Sequence, residues 1–182
     1  NSEFSYVVSL LDPSVIRDLQ LEQHGLDIIT REGASITFGP EGHLWLPHKL
    51  EDSVREIARY SRKDAEHYQR LDVILEDICS ILRPIMRKTP INLSRSLFSQ
   101  ISEALGTGRV LAKASLENRT QLAELMTKSV GDYLDQWFET DILKGTLAYS
   151  GSVGNFASPY HPSTAYVLLH HVFGQVNGKS GA

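Results

Sequence analysis

A glycine-rich stretch is the first place in this sequence where chemistry could reside. GTGRVL (106–111) starts like a dinucleotide-binding GxGxxG loop. Such a loop needs a strand before it, a helix after it and a third small residue, so that a pyrophosphate meets the helix N-terminus. Leu111 stands in the third small position, and the residues before it have helical spacing. The sequence therefore does not predict phosphate binding here.

Seven histidines raise the question of a metal site. His43 and His48 are five residues apart in a strand-like region, which differs from the i, i+4 spacing of a helical zinc pair. His170 and His171 are adjacent, so on a helix they point about 100° apart. With one cysteine in the chain, no cysteine cluster and no internal disulfide can form. We therefore expect no metal site among the histidines. The seven are His24, His43, His48, His67, His161, His170 and His171.

Nucleophiles and tuned acids are not evident either. Cys79 lies in LEDICSILRPI among apolar residues at helical spacing, so we predict a buried thiol that behaves as a small hydrophobic side chain. The carboxylates have the spacing of exposed helix faces, and none stands isolated in an apolar run. No GxSxG motif is present. Catalytic residues are therefore not assigned.

Composition and charge exclude several classes of protein. The 182 residues are 41% hydrophobic, with 18 Lys and Arg against 22 Asp and Glu. A net charge of −4 disfavours nucleic-acid binding. No apolar run approaches the roughly 20 residues of a membrane span, and the N-terminus lacks the basic start of a signal peptide. Residues 1–4 could be a cloning scar. We favour an intracellular location, in the cytoplasm or a mitochondrial matrix, although the sequence fixes no compartment.

The apolar periodicity predicts an α+β fold that is predominantly helical, in one domain over residues 1–182. Three short strands would form a small antiparallel sheet packed on the helices, at 26–30, 34–38 and 43–47. Capping-box spacing occurs at Ser53/Glu56, Ser61/Asp64 and Ser129/Asp132. Pro84 is expected to kink or end its helix, and Gly106 to cap the next one. The predicted helices are 6–21, 54–60, 62–83, 93–105, three short ones at 121–127, 129–138 and 140–151, and 164–174.

The C-terminal block, 147–174, mixes small residues, aromatics and histidines in a way that no surface helix needs. Its segment AYVLL (165–169) is apolar on every face, so it should be buried or face another domain. His170 and His171 follow directly. They are either core histidines with satisfied hydrogen bonds, or one of them faces a ligand.

Three segments resemble the phytoene-dehydrogenase-related group of flavin oxidoreductases, and most closely its subgroup named for a pyridine nucleotide-disulphide oxidoreductase domain. They are SLLDPSVIRDLQLEQHGL (9–26), DYLDQWFETDILKGTLA (132–148) and SVGNFASPYHPSTAYVLLHHVFG (152–174). The last segment and the W-F-E positions (137–139) are the most specific. The likeness runs over nearly all of residues 5–182.

The resemblance implies an FAD-dependent oxidoreductase in which a substrate domain is inserted into a Rossmann-type FAD domain. Hydride would pass from the substrate to flavin N5. This chain carries neither the Gly-rich loop nor a returning strand, so we expect the substrate or cap domain alone. FAD would belong to the parent protein, and the piece itself would be inactive and bind no cofactor. An apolar, polyene-like or lipid-like substrate would contact Tyr149, Phe156, Ser158, His161, Tyr166 and His170.

A second interpretation is a protein–protein interaction module. It would use an exposed apolar surface around 164–174, together with Trp137 and Phe138. The same surface would face the missing FAD domain in the first interpretation. A domain separated from that partner would also self-associate through it, so self-association favours neither interpretation.

Overall fold

Helices dominate the computed structural model, which describes residues 11–29, 33–40, 42–86, 88–90, 94, 96–154, 156–176 and 179–180. Two 3-10 turns lie at Leu21–His24 and Ala165–Val167. Two small antiparallel hairpins complete these elements, which confirms the mostly helical α+β class. The helices are α1 (Pro13–Asp18), α2 (Leu50–Ile57), α3 (Arg62–Met86), α4 (Leu97–Ala112), α5 (Leu116–Thr127), α6 (Val130–Trp137), α7 (Asp141–Ser152) and α8 (Leu168–Phe173), and the strands are β1 (Gly33–Gly39), β2 (Gly42–Pro47), β3 (Gln175–Val176) and β4 (Lys179–Ser180).

The first hairpin contains two of the three predicted strands. β1 pairs antiparallel with β2, and Gly39 opposes Gly42 across the predicted turn. Gly42 has a φ of 130°, a conformation that favours glycine. The strand predicted at 26–30 is wrong, because 26–29 are irregular; Thr30 lies outside the described residues. A strand needs a neighbour to pair its backbone groups, and in the described residues β1 pairs with β2 alone.

The N-terminal helix is shorter than predicted. Residues 6–10 lie outside the described residues, and α1 ends at Asp18. Pro13 occupies the first turn, where its missing N–H leaves no hydrogen bond unmade, and the Asp12 carboxylate accepts a hydrogen bond from the Ser14 N–H at 2.8 Å. Gly25 ends the following 3-10 turn with a φ of 93°, a left-handed conformation that favours glycine.

The central helices form where the periodicity places them, with different ends. α2 begins at Leu50, so Ser53 lies inside it and the predicted Ser53/Glu56 capping box is wrong; the Ser53 hydroxyl donates instead to the Pro47 carbonyl at 2.8 Å. α3 continues past Pro84 to Met86, so Pro84 does not end it. A proline in the last turn removes a single hydrogen bond, which the long helix tolerates.

The core is built around one apolar face of α3, the helix that the periodicity predicts at 62–83. Leu71, Ile74 and Ile78 are at most 5% exposed, and Cys79 is fully buried, as the sequence predicts. They share one buried cluster with residues that precede and follow α3 in the sequence. The main partners, from β2, α5, α6, α7 and the C-terminal block, are Leu44, Leu46, Leu125, Val130, Tyr133, Leu134, Leu143, Leu168 and Leu169.

α4 differs most from the prediction. It begins at Leu97 and runs through Gly106 and Gly108 to Ala112, so the predicted C-cap at Gly106 is wrong. A helix accepts an internal glycine at a cost of about 1 kcal/mol. GTGRVL therefore lies within helical backbone and forms no loop.

The three short helices predicted between 121 and 151 are confirmed as α5, α6 and α7. The predicted cap at Ser129 is confirmed, since its hydroxyl accepts from the Asp132 N–H at 2.9 Å. The Asp132 carboxylate accepts from this hydroxyl, whereas a full capping box would have it accept from the Ser129 N–H. The final predicted helix forms as a 3-10 turn followed by α8.

Candidate functional surface and clefts

The loop between α7 and the second 3-10 turn carries Phe156 and its neighbours, and the junction of α5 and α6 anchors it. The N–H of Gly131 donates to the Pro159 carbonyl at 2.8 Å. The Ser163 N–H donates to the Thr127 carbonyl at 3.2 Å. These contacts use main-chain atoms, so they fix the loop backbone over the junction.

Thr164 completes this anchor from a buried position. Its hydroxyl accepts from the Val130 N–H and donates to the His161 carbonyl, both at 2.9 Å. Its own N–H donates to the Lys128 carbonyl at 3.2 Å. Its side chain makes no cap hydrogen bond to the 3-10 turn that follows.

Tyr160 packs its ring directly on Gly131. A Cβ at Gly131 would lie 2.6 Å from ring carbons, so the close approach requires glycine. The phenol donates to Asp135 at 3.1 Å, and Lys144 lies 3.0 Å from the other oxygen of that carboxylate. The hydrogen bond from Lys144 is the main cause of the lowered pKa of Asp135, and the hydrogen bond to Asp135 raises the pKa of Tyr160.

All six residues predicted to contact substrate lie at the surface. Phe156 is fully exposed, Tyr149 is 73% exposed and Tyr166 is 47% exposed. The three polar members are exposed as well, namely Ser158, His161 and His170. None of the six lines either of the two clefts described below. The structure thus gives them an open face and no enclosed pocket, and their role in substrate binding stays a prediction.

The segment AYVLL is buried within the chain, apart from one residue. Ala165, Val167, Leu168 and Leu169 are at most 8% exposed and contact the core, whereas Tyr166 points outward. Phe138 is also buried, at 4% exposure. Most of the apolar surface expected around 164–174 is therefore buried within the chain's own core.

The W-F-E segment joins the end of α6 to α7 in the chain and contacts the start of α3. The fully buried Asp64 carboxylate accepts hydrogen bonds from the N–H groups of Glu139 and Thr140, both at 2.9 Å, and from the Thr140 hydroxyl. Glu139 accepts in turn from the Ser61 hydroxyl at 2.8 Å. Ser61 does cap α3, through the Asp64 N–H, but the Asp64 carboxylate bonds to residues 139–140 rather than to the cap.

Trp137 adds a second contact between the same elements. His67 Nδ1 lies 2.6 Å from the Trp137 carbonyl oxygen, so this ring nitrogen carries the proton that it donates. The Arg70 guanidinium carbon lies 6.0 Å from the Trp137 ring centroid. The most specific positions of the resemblance outside the C-terminal block thus have a structural role.

Two titratable groups of the core, Cys79 and Tyr68, are held in their neutral forms by burial. Burial, chiefly, raises the pKa of Cys79 to about 12, and its thiol faces the Leu169 carbonyl at 3.8 Å. Burial likewise raises the pKa of Tyr68 to about 12. A protonated, enclosed thiol is not a nucleophile, so Cys79 packs the core.

An apolar cleft of about 270 Å³ lies between α3, α5 and the end of α4, and the sequence did not reveal it. Its walls are aliphatic, and two polar residues stand on α5. Small side chains leave the space open. The cleft is lined by Ile78, Ile81, Leu111, Ala114, Asn118, Arg119, Leu122, Ala123 and Met126.

A second, more polar cleft of about 530 Å³ adjoins the first through Asn118. Arg70 and Glu117, which form a salt bridge of 2.5 Å, both line it. The Asn118 side-chain amide also lies 3.4 Å from Asp77. One charge pair therefore lies in this cleft, whereas the walls of the first cleft are mostly apolar.

The described residues do not fit an FAD site. A flavin dinucleotide needs a Gly-rich loop between a strand and a helix N-terminus, and the stretch that resembles one is helical backbone of α4. Over the same described ranges, no three His, Cys, Asp or Glu side chains cluster as metal ligands. No helix described by the structure has the length and apolar character to cross a bilayer.

Comparison with known proteins finds relatives that match the whole chain. It is 34% identical, over 196 aligned residues, to pyridine nucleotide-disulfide oxidoreductase domain-containing protein 2 of Rattus norvegicus. It is 35% identical to the Mus musculus protein of the same name. The chain spans 34% of the length of each. No protein-family model matches the chain, and no solved structure matches it significantly.

These relatives confirm the resemblance to proteins named for a pyridine nucleotide-disulfide oxidoreductase domain, and their names support an oxidoreductase. The alignment covers the α3 core, the W-F-E junction and the anchored loop alike, since it includes all of this chain. The wider likeness to phytoene dehydrogenases stays a prediction.

Proposed function

We propose that this chain is the substrate-facing cap domain of an FAD-dependent oxidoreductase, related to phytoene dehydrogenases, that acts on an apolar molecule. The observation that carries the proposal is the similarity of the whole chain to about one third of two proteins named for a pyridine nucleotide-disulfide oxidoreductase domain. FAD would be held by the remainder of such a protein, because the residues described here do not fit it.

The anchored loop supports the location of the substrate-facing surface. Phe156, Tyr160 and Tyr166 present aromatic rings outward on a backbone fixed by the α5–α6 junction. Aromatic side chains bury large areas against apolar ligands. A flavin domain covering this face would enclose a largely apolar cavity, in which oriented substrate could deliver hydride to the flavin.

Flavin content tests the enzyme class. The full-length protein that contains this chain, once purified, should be yellow and carry close to one flavin per chain. The 182-residue chain alone should stay colourless in added FAD. A correctly folded full-length protein that is colourless and ignores FAD would remove the proposal.

Flavin reduction tests the surface. In the anaerobic full-length holoenzyme, an apolar substrate found by screening should bleach the flavin. Tyr166→Ala should slow that bleaching about tenfold at limiting substrate, since a buried aromatic contact contributes about 1–2 kcal/mol. The matched control is Phe98→Ala, which removes an exposed ring from α4. Equal rates in all three proteins would place the substrate elsewhere.

A protein–protein interaction module is the second candidate, favoured by the same exposed rings. Four aromatic residues are each at least 47% exposed, namely Tyr149, Phe156, Tyr160 and Tyr166. Aromatic residues are enriched at interfaces. A partner retained by the immobilised chain, lost with Tyr166→Asp and kept with Phe98→Asp, would favour this candidate. If neither the chain nor the variants retain a partner, the module idea loses its support.

A further inference from the structure

The apolar cleft between α3, α5 and the end of α4 has the lining of a ligand site that none of the six predicted residues explains. Ile78 and Ile81 form its α3 wall, and Leu122 and Met126 form its α5 wall. Its volume of about 270 Å³ lies just under the roughly 300–1,000 Å³ of pockets that enclose drug-sized ligands. A narrow, flexible chain suits such a space better than a fused ring system.

The polar residues of this cleft add one uncompensated positive charge. Arg119 lines the cleft and makes no salt bridge with any residue that the structure describes. The acidic residues on the same helix are already engaged, Glu117 by Arg70 at 2.5 Å and Glu124 by Lys128 at 3.1 Å. An anion approaching Arg119 therefore meets a free guanidinium, which prefers carboxylate and phosphate groups.

We propose that this cleft binds a single-chain amphiphile with an anionic head group, of the fatty-acid type. The alkyl chain lies along Ile78, Leu122 and Met126, and the carboxylate pairs with Arg119. The Asn118 side chain, which also lines the cleft, adds a polar neighbour for the head group. Charge complementarity at one end and apolar walls along the rest select this class of ligand over a neutral hydrocarbon.

The proposal does not rest on the oxidoreductase function. It concerns binding to this chain alone and involves no flavin, so either proposal can fail without the other. A yellow full-length protein says nothing about the cleft, and fatty-acid binding says nothing about the flavin.

Calorimetric titration with laurate, below its micelle concentration, tests the cleft on the 182-residue chain. Decanoate should bind about tenfold more weakly than laurate, because two methylene groups are lost. Arg119→Gln should weaken laurate about fivefold, the effect of removing one exposed ion pair. Dodecanol should bind the wild-type chain and Arg119→Gln equally. Arg62→Gln, an exposed arginine of α3 outside the cleft, is the matched control and should bind like wild type.

Ala123→Trp fills the cleft and should abolish laurate binding while circular dichroism shows unchanged helix content. If that variant does not fold, the head-group and chain-length comparisons decide alone. The proposal is overturned by absence of laurate binding, by affinities that ignore both chain length and Arg119, or by a dimer in sedimentation that Ala123→Trp dissociates, since a second protein copy would then occupy the cleft.

Discussion

α3 and α4 carry the same kind of apolar stripe, but only that of α3 is buried. Leu71 and Ile78 expose 3% and 1% of their surface, whereas Phe98 and Leu105 expose 83% and 55%. Helical periodicity makes one face apolar in both cases. α3 finds α2, α5, α6 and α8 on its apolar side, so tertiary partners, rather than the pattern, decide which stripe becomes core.

Matched leucine truncations give the largest expected difference between the two helices. Leu71→Ala should lower the free energy of unfolding by about 3 kcal/mol, through lost transfer energy and a cavity. Leu105→Ala should change it by less than about 0.5 kcal/mol, because the side chain is already half in water. Urea unfolding with an unchanged slope measures both. Similar losses at the two sites would mean that α4 is packed in solution.

The Asp64 carboxylate, which joins α3 to residues 139 and 140, gives the next largest effect. Asp64→Asn should cost about 2 kcal/mol, because the amide cannot accept from both N–H groups of residues 139 and 140 and from the Thr140 hydroxyl. Asp18→Asn, on exposed α1, is the control and should leave the denaturation midpoint in place. A midpoint for Asp64→Asn that matches the control would show that the junction is not a stabilising contact.

Thiol reactivity sharpens the comparison without removing any packing. At pH 8, Cys79 should hold about a thousandfold less thiolate than an ordinary cysteine, since burial raises its pKa from 9.0 to about 12. A cysteine introduced as Leu105→Cys should react with a thiol reagent at the rate of a free thiol. Equal labelling of the two cysteines in the native chain would contradict the difference in burial.

The raised pKa of Cys79 also predicts how stability depends on pH. Between pH 9 and 12 the unfolded thiol has lost its proton and the folded one has kept it. The unfolded state then binds fewer protons, so the free energy of unfolding falls as pH rises, and the contribution is complete below pH 9. Tyr68, with its pKa raised to about 12, acts in the same direction above pH 10. Cys79→Ala should flatten this fall in unfolding measured from pH 8 to 11.

Local signals in the sequence predict much of the fold. The α3 stripe, the buried Cys79 and the Ser129/Asp132 cap depend on residues within one helix, and each is confirmed. Ser53 has the spacing of a cap, but the Pro47 carbonyl lies within reach of its hydroxyl and the helix begins earlier. Gly106 is a residue type common at the ends of helices, yet α4 continues through it. Where two local outcomes are close in energy, packing decides between them.

The apolar cleft depends on contacts between residues that are far apart in sequence. The apolar cleft brings Ile78 of α3 beside Met126 of α5, and no spacing within either helix predicts that meeting. The composition of the C-terminal block does indicate an unusual segment. It does not separate Leu168, which turns into the core, from Tyr166, which turns away from it.

The main-chain bonds that hold the loop before the second 3-10 turn have a consequence for how this surface can change. Gly131, Thr127 and Lys128 recognise carbonyl and amide groups of the loop, whatever side chains those groups carry. Exposed residues such as Phe156 and Ala157 can thus be exchanged while the scaffold keeps its shape. Randomising these positions should yield a folded library whose members differ in what they recognise.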